Sequence, residues 1–156
     1  MQLSEIIASD AVLPALKAGS KKQLLQELAG HASKATGIDA RQIFETLLQR
    51  EKLGSTGLGQ GMAIPHGKFA KLDRVYCIFA RLEQPIDFEA VDDQPVDLVF
   101  LLLAPESAGA DHLKALARIS RLLRDASLVA KLRGTDDAQG LYAILTEPAA
   151  SASHAA

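Results

Sequence analysis

Residues 50–68 read REKLGSTGLGQGMAIPHGK, a segment that concentrates four glycines ahead of a single histidine. The four glycines lie within residues 54–61, where they predict sharp bends and a close approach of backbone N–H groups to a bound group. The segment then leads into His66, which stands between Pro65 and Gly67. Because Pro65 fixes its own φ and favours extended backbone before it, we expect His66 at a strand end, rigidly placed and little covered. We also expect the chain to turn away at Gly67.

The same glycines partly match two nucleotide-binding motifs. Gly54 and Gly59 have the separation of the Walker A glycines, whereas Gln60 stands where that motif needs its lysine. Residues 57–61 read GLGQG, and Met62 replaces the last glycine of a Rossmann fingerprint. Both matches are incomplete, so a polar turn that joins a helix to a strand and carries an idle histidine stays open as an alternative.

The composition predicts one globular domain. The chain has 156 residues, 48% of them hydrophobic, and its 17 basic and 19 acidic residues give a net charge of −2. The sequence has no run of basic residues that would indicate a nucleic-acid partner, and none of its apolar runs reaches the length of a membrane span. The first residues lack the basic and apolar regions of a signal peptide, so the cytoplasm is the expected location. The single Cys77 lies in an apolar segment and is interpreted as a small buried hydrophobe.

Apolar periodicity and turn signals predict strands and helices in uneven alternation. Strands are expected at 11–13, 62–64, 75–82 and 96–103, with a short extended piece at 86–88 and turns at 84–85 and 92–95. Helices are expected after the capping residues Ser20 (in a capping box with Gln23), Asp39, Asp111, Ser127 and either Asp136 or Asp137, and the first should end at Gly37. Pro14 indicates an edge strand, and the apolar run 96–103 a central one. The pattern predicts a layered α/β domain over residues 1–147, followed by a disordered tail at 148–156.

Two separate segments together resemble a known family. Residues 50–68, which end in IPHGK, are similar to the active-site segment of the phosphotransferase-system IIA proteins of the mannitol/fructose type. Residues 111–123, DHLKALARISRLL, are similar to that family's second histidine helix. The resemblance covers residues 1–147, and the GQGM around Gln60 favours the nitrogen-regulatory branch. It implies a three-layer α/β/α sandwich with a mixed sheet.

The candidate site centres on a histidine that can carry a phosphoryl group on a ring nitrogen. Histidine titrates near neutrality, and transfer needs positioned donors for the phosphoryl oxygens. The resemblance implies that His66 is phosphorylated, that His112 lies beside it and supports it, and that Arg50 adds positive charge at the pocket edge. Near a helix end Arg50 also has a plain explanation in the helix dipole. The loop residues expected to bind the phosphoryl oxygens are Ser55, Thr56, Gly57, Gly59 and Gln60.

A phosphorelay regulator is the first hypothesis that the resemblance implies. Such a protein accepts phosphate from an HPr-like carrier, named NPr in the nitrogen branch. It then regulates targets, such as potassium transporters or sensor kinases, by binding that depends on phosphorylation. The uncharged neighbours of His66 that we expect to form a docking face are Leu58, Met62, Ile64 and Phe69.

Two other classes of function stay open. A sugar-specific IIA component would pass phosphate from HPr to a IIB domain for carbohydrate uptake. A metal-binding or scaffolding domain could use His66 and His112, although no cysteine or carboxylate pair accompanies them at ligand spacing. We expect no metal and no cofactor, because phosphate that arrives from a phosphohistidine is already activated. The sequence leaves open whether such a phosphocarrier counts as an enzyme.

Overall fold

A computed structural model describes residues 2–107 and 109–147, so the tail predicted at 148–156 lies outside the described residues. Two short 3-10 turns, Leu3–Glu5 and Ser9–Ala11, precede the regular elements. The strands are β1 (Val12–Leu16), β2 (Gly57–Gly59), β3 (Met62–Ala63), β4 (His66–Phe69), β5 (Tyr76–Ile86) and β6 (Val96–Pro105). The helices are α1 (Lys21–Thr36), α2 (Ala40–Lys52), α3 (Gly109–Leu123), α4 (Ala126–Arg133) and α5 (Ala138–Leu145).

The six strands form one mixed sheet. Its order is β1-β5-β6-β3-β2, and β4 pairs with β6 further along that strand than β3 does. β6 runs antiparallel to β5, with Phe79 opposite Phe100, and parallel to both β3 and β4. β1 adds to the free side of β5 in parallel, which confirms that it is an edge strand.

Helices cover both faces of this sheet. Residues 98–105 of β6 are all buried, as the apolar run predicts for a central strand. α1 and α2 pack against each other and contact β5 and β4, respectively. α3 packs against β6 and α5 against β1, and α4 connects these two helices. The sheet thus lies between two helical layers, which confirms the single α/β domain with a three-layer arrangement.

Local capping signals account for both ends of α1 and for the start of α2. The Ser20 side chain accepts the N–H of Gln23 at 3.1 Å, as expected of an N-cap. The Gln23 side chain accepts the N–H of Gly19 instead of that of Ser20, so the return half of the predicted capping box is displaced by one residue. Gly37 ends α1 in the left-handed region, and Asp39 caps α2.

Two of the later helices, α3 and α4, begin earlier than the sequence predicts. α3 starts at Gly109, so Asp111 lies within the first turn and the prediction that it is the cap is wrong. α4 is capped by Asp125, which accepts a backbone N–H at 3.1 Å, so the predicted start at Ser127 is also wrong. A carboxylate acceptor just upstream outcompetes the serine hydroxyl as the cap. Asp137 caps α5, in agreement with one of the two predicted positions.

Two strands continue through prolines that lie beyond their predicted ends. β5 continues through Pro85 to Ile86, so the predicted turn at 84–85 is wrong. The register with β6 shifts between Arg81 and Ile86, and this interruption of the ladder accommodates a residue that has no N–H to donate. β6 likewise runs through Pro105 at its end.

The single cysteine lies in the core. Cys77, in β5, has no exposed surface, and burial raises the pKa of its thiol strongly. The thiolate that a nucleophile requires is therefore disfavoured. This confirms the interpretation of Cys77 as a small buried hydrophobe.

Candidate functional site

His66 is the first residue of β4 and lies opposite Leu102 of β6. Its side chain is half-buried, whereas the sequence predicts that little covers it. The chain does not turn away at Gly67 but continues in strand geometry to Phe69, so that prediction is wrong. Gly67 is needed for space instead, because a Cβ there would stand 3.0 Å from Cγ2 of Thr46 in α2.

The ring of His66 is oriented by its own segment. Its Nδ1 lies 2.8 Å from the carbonyl oxygen of Ile64, two residues earlier. A carbonyl oxygen only accepts hydrogen bonds, so in the neutral ring Nδ1 carries the hydrogen and donates it. Nε2 of His66 is therefore the nitrogen with the free electron pair.

His112 lies beside His66, as the resemblance implies. The two ring centroids are 5.5 Å apart and the ring planes meet at 68°. His112 is 6% exposed, and its Nδ1 has no hydrogen-bond partner among the described residues. Burial, followed by the neighbouring charges of His66 and Lys68, holds the pKa of His112 below its usual range. Its neutral form is thereby favoured.

Lys68 is a cation at this site that the sequence analysis did not identify. It lies two residues after His66 in β4, and side chains two residues apart project from the same face of a strand. Lys68 is exposed, and its charge contributes to the lowered pKa of His112. The signal in the sequence is the alternation of β4 itself, which becomes visible once the strand is known to continue past Gly67.

The beginning of the glycine-rich segment is bound to the body of the protein. The hydroxyl of Thr56 donates to the buried carboxylate of Glu51, and the hydroxyl of Ser55 donates to the carbonyl oxygen of Phe88 at 2.9 Å. The N–H of Gly57 donates to the Ser55 hydroxyl at 3.1 Å. The hydroxyl hydrogens that the sequence offers as donors to a phosphoryl group are thus already engaged.

The middle of the segment forms a β-hairpin tip away from His66. Gln60 and Gly61 connect β2 to β3 with φ values of 57° and 85°, the positive values of a two-residue hairpin turn. The carbonyl of Gly61 accepts from Leu98, whereas that of Pro65 accepts from Leu102. Four residues along a strand span about 13 Å. This separation does not support a role for Gly59 or Gln60 in holding a group bound to His66.

The hairpin tip has its own set of polar contacts. The N–H of Gln60 donates to Asp92 at 2.9 Å, and this bond, with a second from Gln94, holds the pKa of Asp92 below its usual range. Arg133 donates to the Gln60 carbonyl at 2.6 Å and forms an ion pair with Asp97 at 3.0 Å. These contacts explain the conformation of the glycine-rich turn without a bound phosphate.

Arg50 lies in the last turn of α2, and its Nη1 donates to the carbonyl oxygen of Gly54 at 2.9 Å. This bond satisfies a carbonyl just past the helix end, which fits the plain explanation for a basic residue there. Contact between Arg50 and a phosphoryl group stays a prediction.

The docking face predicted from uncharged neighbours is mostly wrong. Met62, Ile64 and Phe69 are 5%, 3% and 1% exposed, because their side chains pack into the core. Leu58 is 50% exposed and is available for contact. Leu113, which follows His112 in α3, is 67% exposed and was not predicted to take part.

A family model described as "Phosphoenolpyruvate-dependent sugar phosphotransferase system, EIIA 2" matches residues 5–147. The chain belongs to this EIIA 2 family. The nitrogen regulatory protein of Bradyrhizobium diazoefficiens is 61% identical to it over 152 residues, which are 97% of this chain and 99% of that protein. This similarity confirms that the chain belongs to the nitrogen-regulatory branch of the EIIA 2 family. The chain is therefore a regulatory protein of the phosphotransferase type.

Solved structures agree with this assignment. The crystal structure of the nitrogen regulatory protein IIA-Ntr from Neisseria meningitidis has a TM-score of 0.88 and 38% identity, and covers 92% of this chain and 99% of that chain. The mannitol IIA enzyme of Escherichia coli, solved in complex with phosphorylated IIB, has a TM-score of 0.77 at 19% identity. It covers 92% of this chain and 100% of that chain, and the likeness shows the shared fold.

Two further observations concern membrane-spanning helices and metal-binding sites. Across residues 2–107 and 109–147, no helix is long and apolar enough to cross a bilayer. The same residues contain no group of three or more histidine, cysteine, aspartate or glutamate side chains that could hold a metal ion. They therefore add no third ligand to His66 and His112.

Proposed function

We propose that this chain is a phosphorelay regulator that accepts a phosphoryl group on Nε2 of His66 from an HPr-like carrier, NPr. In this proposal it acts in the cytoplasm and binds targets related to nitrogen or potassium metabolism, such as a potassium transporter or a sensor kinase. The similarity to nitrogen regulatory proteins supports the regulatory output.

One observation carries the proposal for the acceptor. The 2.8 Å hydrogen bond from Nδ1 to the Ile64 carbonyl keeps the electron pair of the neutral His66 ring on Nε2. A nitrogen with a free electron pair on a half-buried side chain can attack the phosphorus of a donor phosphohistidine. The new bond from Nε2 to phosphorus forms as the donor's nitrogen–phosphorus bond breaks, and the donor nitrogen keeps the electron pair.

His112 and Lys68 are proposed to support the transferring group. His112 is buried, and its Nδ1 has no partner among the described residues; a buried polar atom of this kind destabilises the folded protein until it gains a hydrogen bond. A phosphoryl oxygen on His66 would supply that partner. Lys68 adds a positive charge on the same face of β4, which favours the negative charge of the phosphoryl group.

The contributions proposed for the loop and for Arg50 are smaller. The Ser55 and Thr56 hydroxyls and the N–H groups of Thr56 and Gly57 are engaged elsewhere, which leaves the N–H of Ser55 as the candidate donor of residues 55–57. Arg50 would have to exchange its bond to the Gly54 carbonyl for one to the phosphoryl group. We place His66 first, His112 and Lys68 second, and Arg50 last.

The acceptor is tested by labelling. The wild-type chain, incubated with phosphoenolpyruvate, the first enzyme of the system and an HPr-like carrier, should gain one acid-labile phosphoryl group, and His66→Ala should gain none. His31→Ala, which removes a half-buried histidine from α1, is the matched control and should be labelled like wild type. Labelling of folded His66→Ala at the wild-type rate would contradict the assignment.

Phosphorylation is proposed to act by changing which proteins can dock. The phosphoryl group adds about −1.5 to −2 charges at one point. A target that covers His66 and the exposed Leu113 would have to bury this charge, and without a compensating cation it is excluded. The fold itself need not change.

Chemical-shift perturbation can locate the docking face. A target that prefers the unphosphorylated protein should perturb residues around His66 and Leu113, and His66→Glu, an imperfect charge mimic, should weaken that target's binding. Val91→Asp serves as the control, because Val91 is 81% exposed and precedes Asp92, which binds the hairpin tip away from His66. A footprint remote from His66 that still responds to phosphorylation would require a long-range conformational change instead.

A sugar-transport role is the second candidate function. The mannitol IIA enzyme of the same fold was solved in complex with phosphorylated IIB, so the fold can serve such a partner. The two roles are distinguished by measuring transfer of the labelled phosphoryl group from this chain to purified IIB proteins. Rapid transfer of the label from this chain to a IIB domain would favour sugar transport over regulation.

A further inference from the structure

Hydrogen bonds connect a buried carboxylate to the ring of His66. Glu51, whose side chain is 3% exposed, accepts the N–H of Thr56 at 3.0 Å and also the Thr56 hydroxyl. The Thr56 carbonyl accepts the N–H of Ile64 at 3.1 Å. The Ile64 carbonyl in turn accepts Nδ1–H of His66 at 2.8 Å. These three links cross from the end of α2 to the start of β4.

We infer that Glu51 is a positioning residue that sets the orientation and the tautomer of the His66 ring through Thr56 and Ile64. The inference rests on the proposed function, because it explains how the acceptor nitrogen is kept ready. It assigns Glu51 no contact with the phosphoryl group.

Lys21 holds the carboxylate in place from the other side. Its Nζ lies 3.0 Å from Oε1 of Glu51, and only 14% of the Lys21 side chain is exposed. The same ammonium group lies 4.6 Å from the centroid of the Phe88 ring and 3.6 Å from a carboxylate oxygen of Glu89. Glu51 lies in the last turn of α2, and its ion pair with Lys21, the first residue of α1, therefore joins the two helices and holds the carboxylate in place.

The contacts of Glu51 restrict where the Thr56 carbonyl can point. The two carboxylate oxygens take both the N–H and the hydroxyl hydrogen of Thr56, which holds the Thr56 side chain and the peptide plane before it, and so limits the orientation of the carbonyl in the next plane. A fixed Thr56 carbonyl fixes Ile64, whose own carbonyl selects the nitrogen of His66 that carries the hydrogen. In the other tautomer Nε2 carries the hydrogen and has no electron pair in the ring plane for attack.

An ordinary structural role makes a different prediction. Buried ion pairs contribute little net stability compared with apolar residues of the same volume, although removing one partner is costly. If the pair of Lys21 and Glu51 only joined two helices, its loss would lower the free energy of unfolding and leave the His66 ring unchanged in the folded protein. The ring signal therefore separates the two roles.

The experiment compares folded variants by the ¹⁵N chemical shifts of the His66 ring, which report the tautomer. We expect wild type to populate mainly the Nδ1–H form, and Glu51→Gln and Thr56→Val to raise the share of the Nε2–H form. Thr56→Ser keeps the hydroxyl and should restore the wild-type ring signal. Phosphoryl acceptance by Glu51→Gln should fall on the order of tenfold, by analogy with the low end for partners that orient metal-binding imidazoles.

A second ion pair on α2 provides the control. Arg41 and Glu45 are exposed and lie 3.1 Å apart, so Glu45→Gln should leave the ring signal and the rate unchanged. Circular dichroism identifies the variants that fold, and if Glu51→Gln does not, the comparison of Thr56→Val with Thr56→Ser decides alone.

Wild-type ring shifts in folded Glu51→Gln and Thr56→Val would overturn the inference. The ring measurement needs no phosphate donor, so it is independent of the proposed function. If wild type is never labelled but the ring signal still depends on Glu51, the positioning role stands and the proposed acceptor role fails.

Discussion

His66 and His112 lie with their ring centroids 5.5 Å apart, yet the protein holds them in opposite ways. His66 begins a strand, is half-buried and has its Nδ1 satisfied by Ile64 from its own segment. His112 lies in the first turn of a helix and is 6% exposed, and its Nδ1 has no partner among the described residues. One ring therefore presents a free electron pair, while the other keeps an unsatisfied polar group. This difference supports our proposal that His66 is the acceptor and that His112 supports it.

The largest effect that tests this comparison is on the rate of phosphorylation. We expect His112→Ala to accept phosphate about 10²-fold more slowly, the lower end for loss of one donor to a developing charge, because it removes a supporting group and not the nucleophile. The rate is measured by labelling from the phosphorylated carrier. Complete loss of labelling in a folded His112→Ala protein would reverse the roles or make His112 an obligatory intermediate.

The second prediction concerns the strand that carries His66. Gly67→Ala would place its Cβ 3.0 Å from Thr46 and 3.3 Å from the Phe69 ring, so these side chains would have to give way by a few tenths of an ångström. We expect a loss of about 1–3 kcal/mol in the free energy of unfolding, as for other overpacked sites. Gly30→Ala in α1 meets no atom within 4 Å and should instead stabilise by about 0.5–1 kcal/mol. Urea unfolding measures both, and equal effects would show that Gly67 is not needed for space.

A smaller effect is expected from the cation on the His66 face. Lys68→Ala should slow phosphorylation by up to about fivefold, the effect of an exposed charge worth about 1 kcal/mol or less. The difference from wild type should shrink as salt is added, since salt screens exposed charges. Lys71→Ala, an exposed lysine just after β4, should have no effect. Equal losses in both variants would indicate nonspecific attraction of the carrier.

The smallest effect is an acid sensitivity that comes from His112. Burial first, and then His66 and Lys68, lower the pKa of folded His112 below its ordinary 6.5. Below that pH the unfolded chain binds the proton more readily than the folded one, so stability is complete above pH 6.5 and is lost as the pH falls through the folded pKa. His112→Gln should lose less stability than wild type on acidification in this range. Parallel pH profiles from denaturant unfolding would show that His112 is not the cause.

The elements with local signals were predictable from the sequence. Ser20 and Asp39 cap helices with hydrogen bonds to residues three positions away, and Gly37 ends α1 with a positive φ, so a short segment contains all the necessary information. The apolar run of β6 is long enough to require burial on both faces. The motif around His66 likewise carried the family resemblance.

Element ends depended on neighbours that the local sequence does not contain. Pro85 reads as a turn, yet it lies inside β5 because the register with β6 shifts there and no ladder hydrogen bond is required of it. Ser127 is a reasonable cap, but Asp125 upstream accepts the helix N–H. Gly67 suggests a turn, and pairing of β4 with β6 keeps it extended.

The sequence by itself determined the fold class, the acceptor candidate and the second histidine; the tertiary structure decided what surrounds them. Glu51 reads as part of a polar helix end, and it is buried because Thr56, five residues later, and Lys21, from α1, satisfy its charge. Gln60 reads as part of a phosphate loop, and pairing of β3 with β6 carries it away from His66. Capping and apolar periodicity act over a few residues, whereas burial of a charge depends on partners that only the packed sheet and helices bring together.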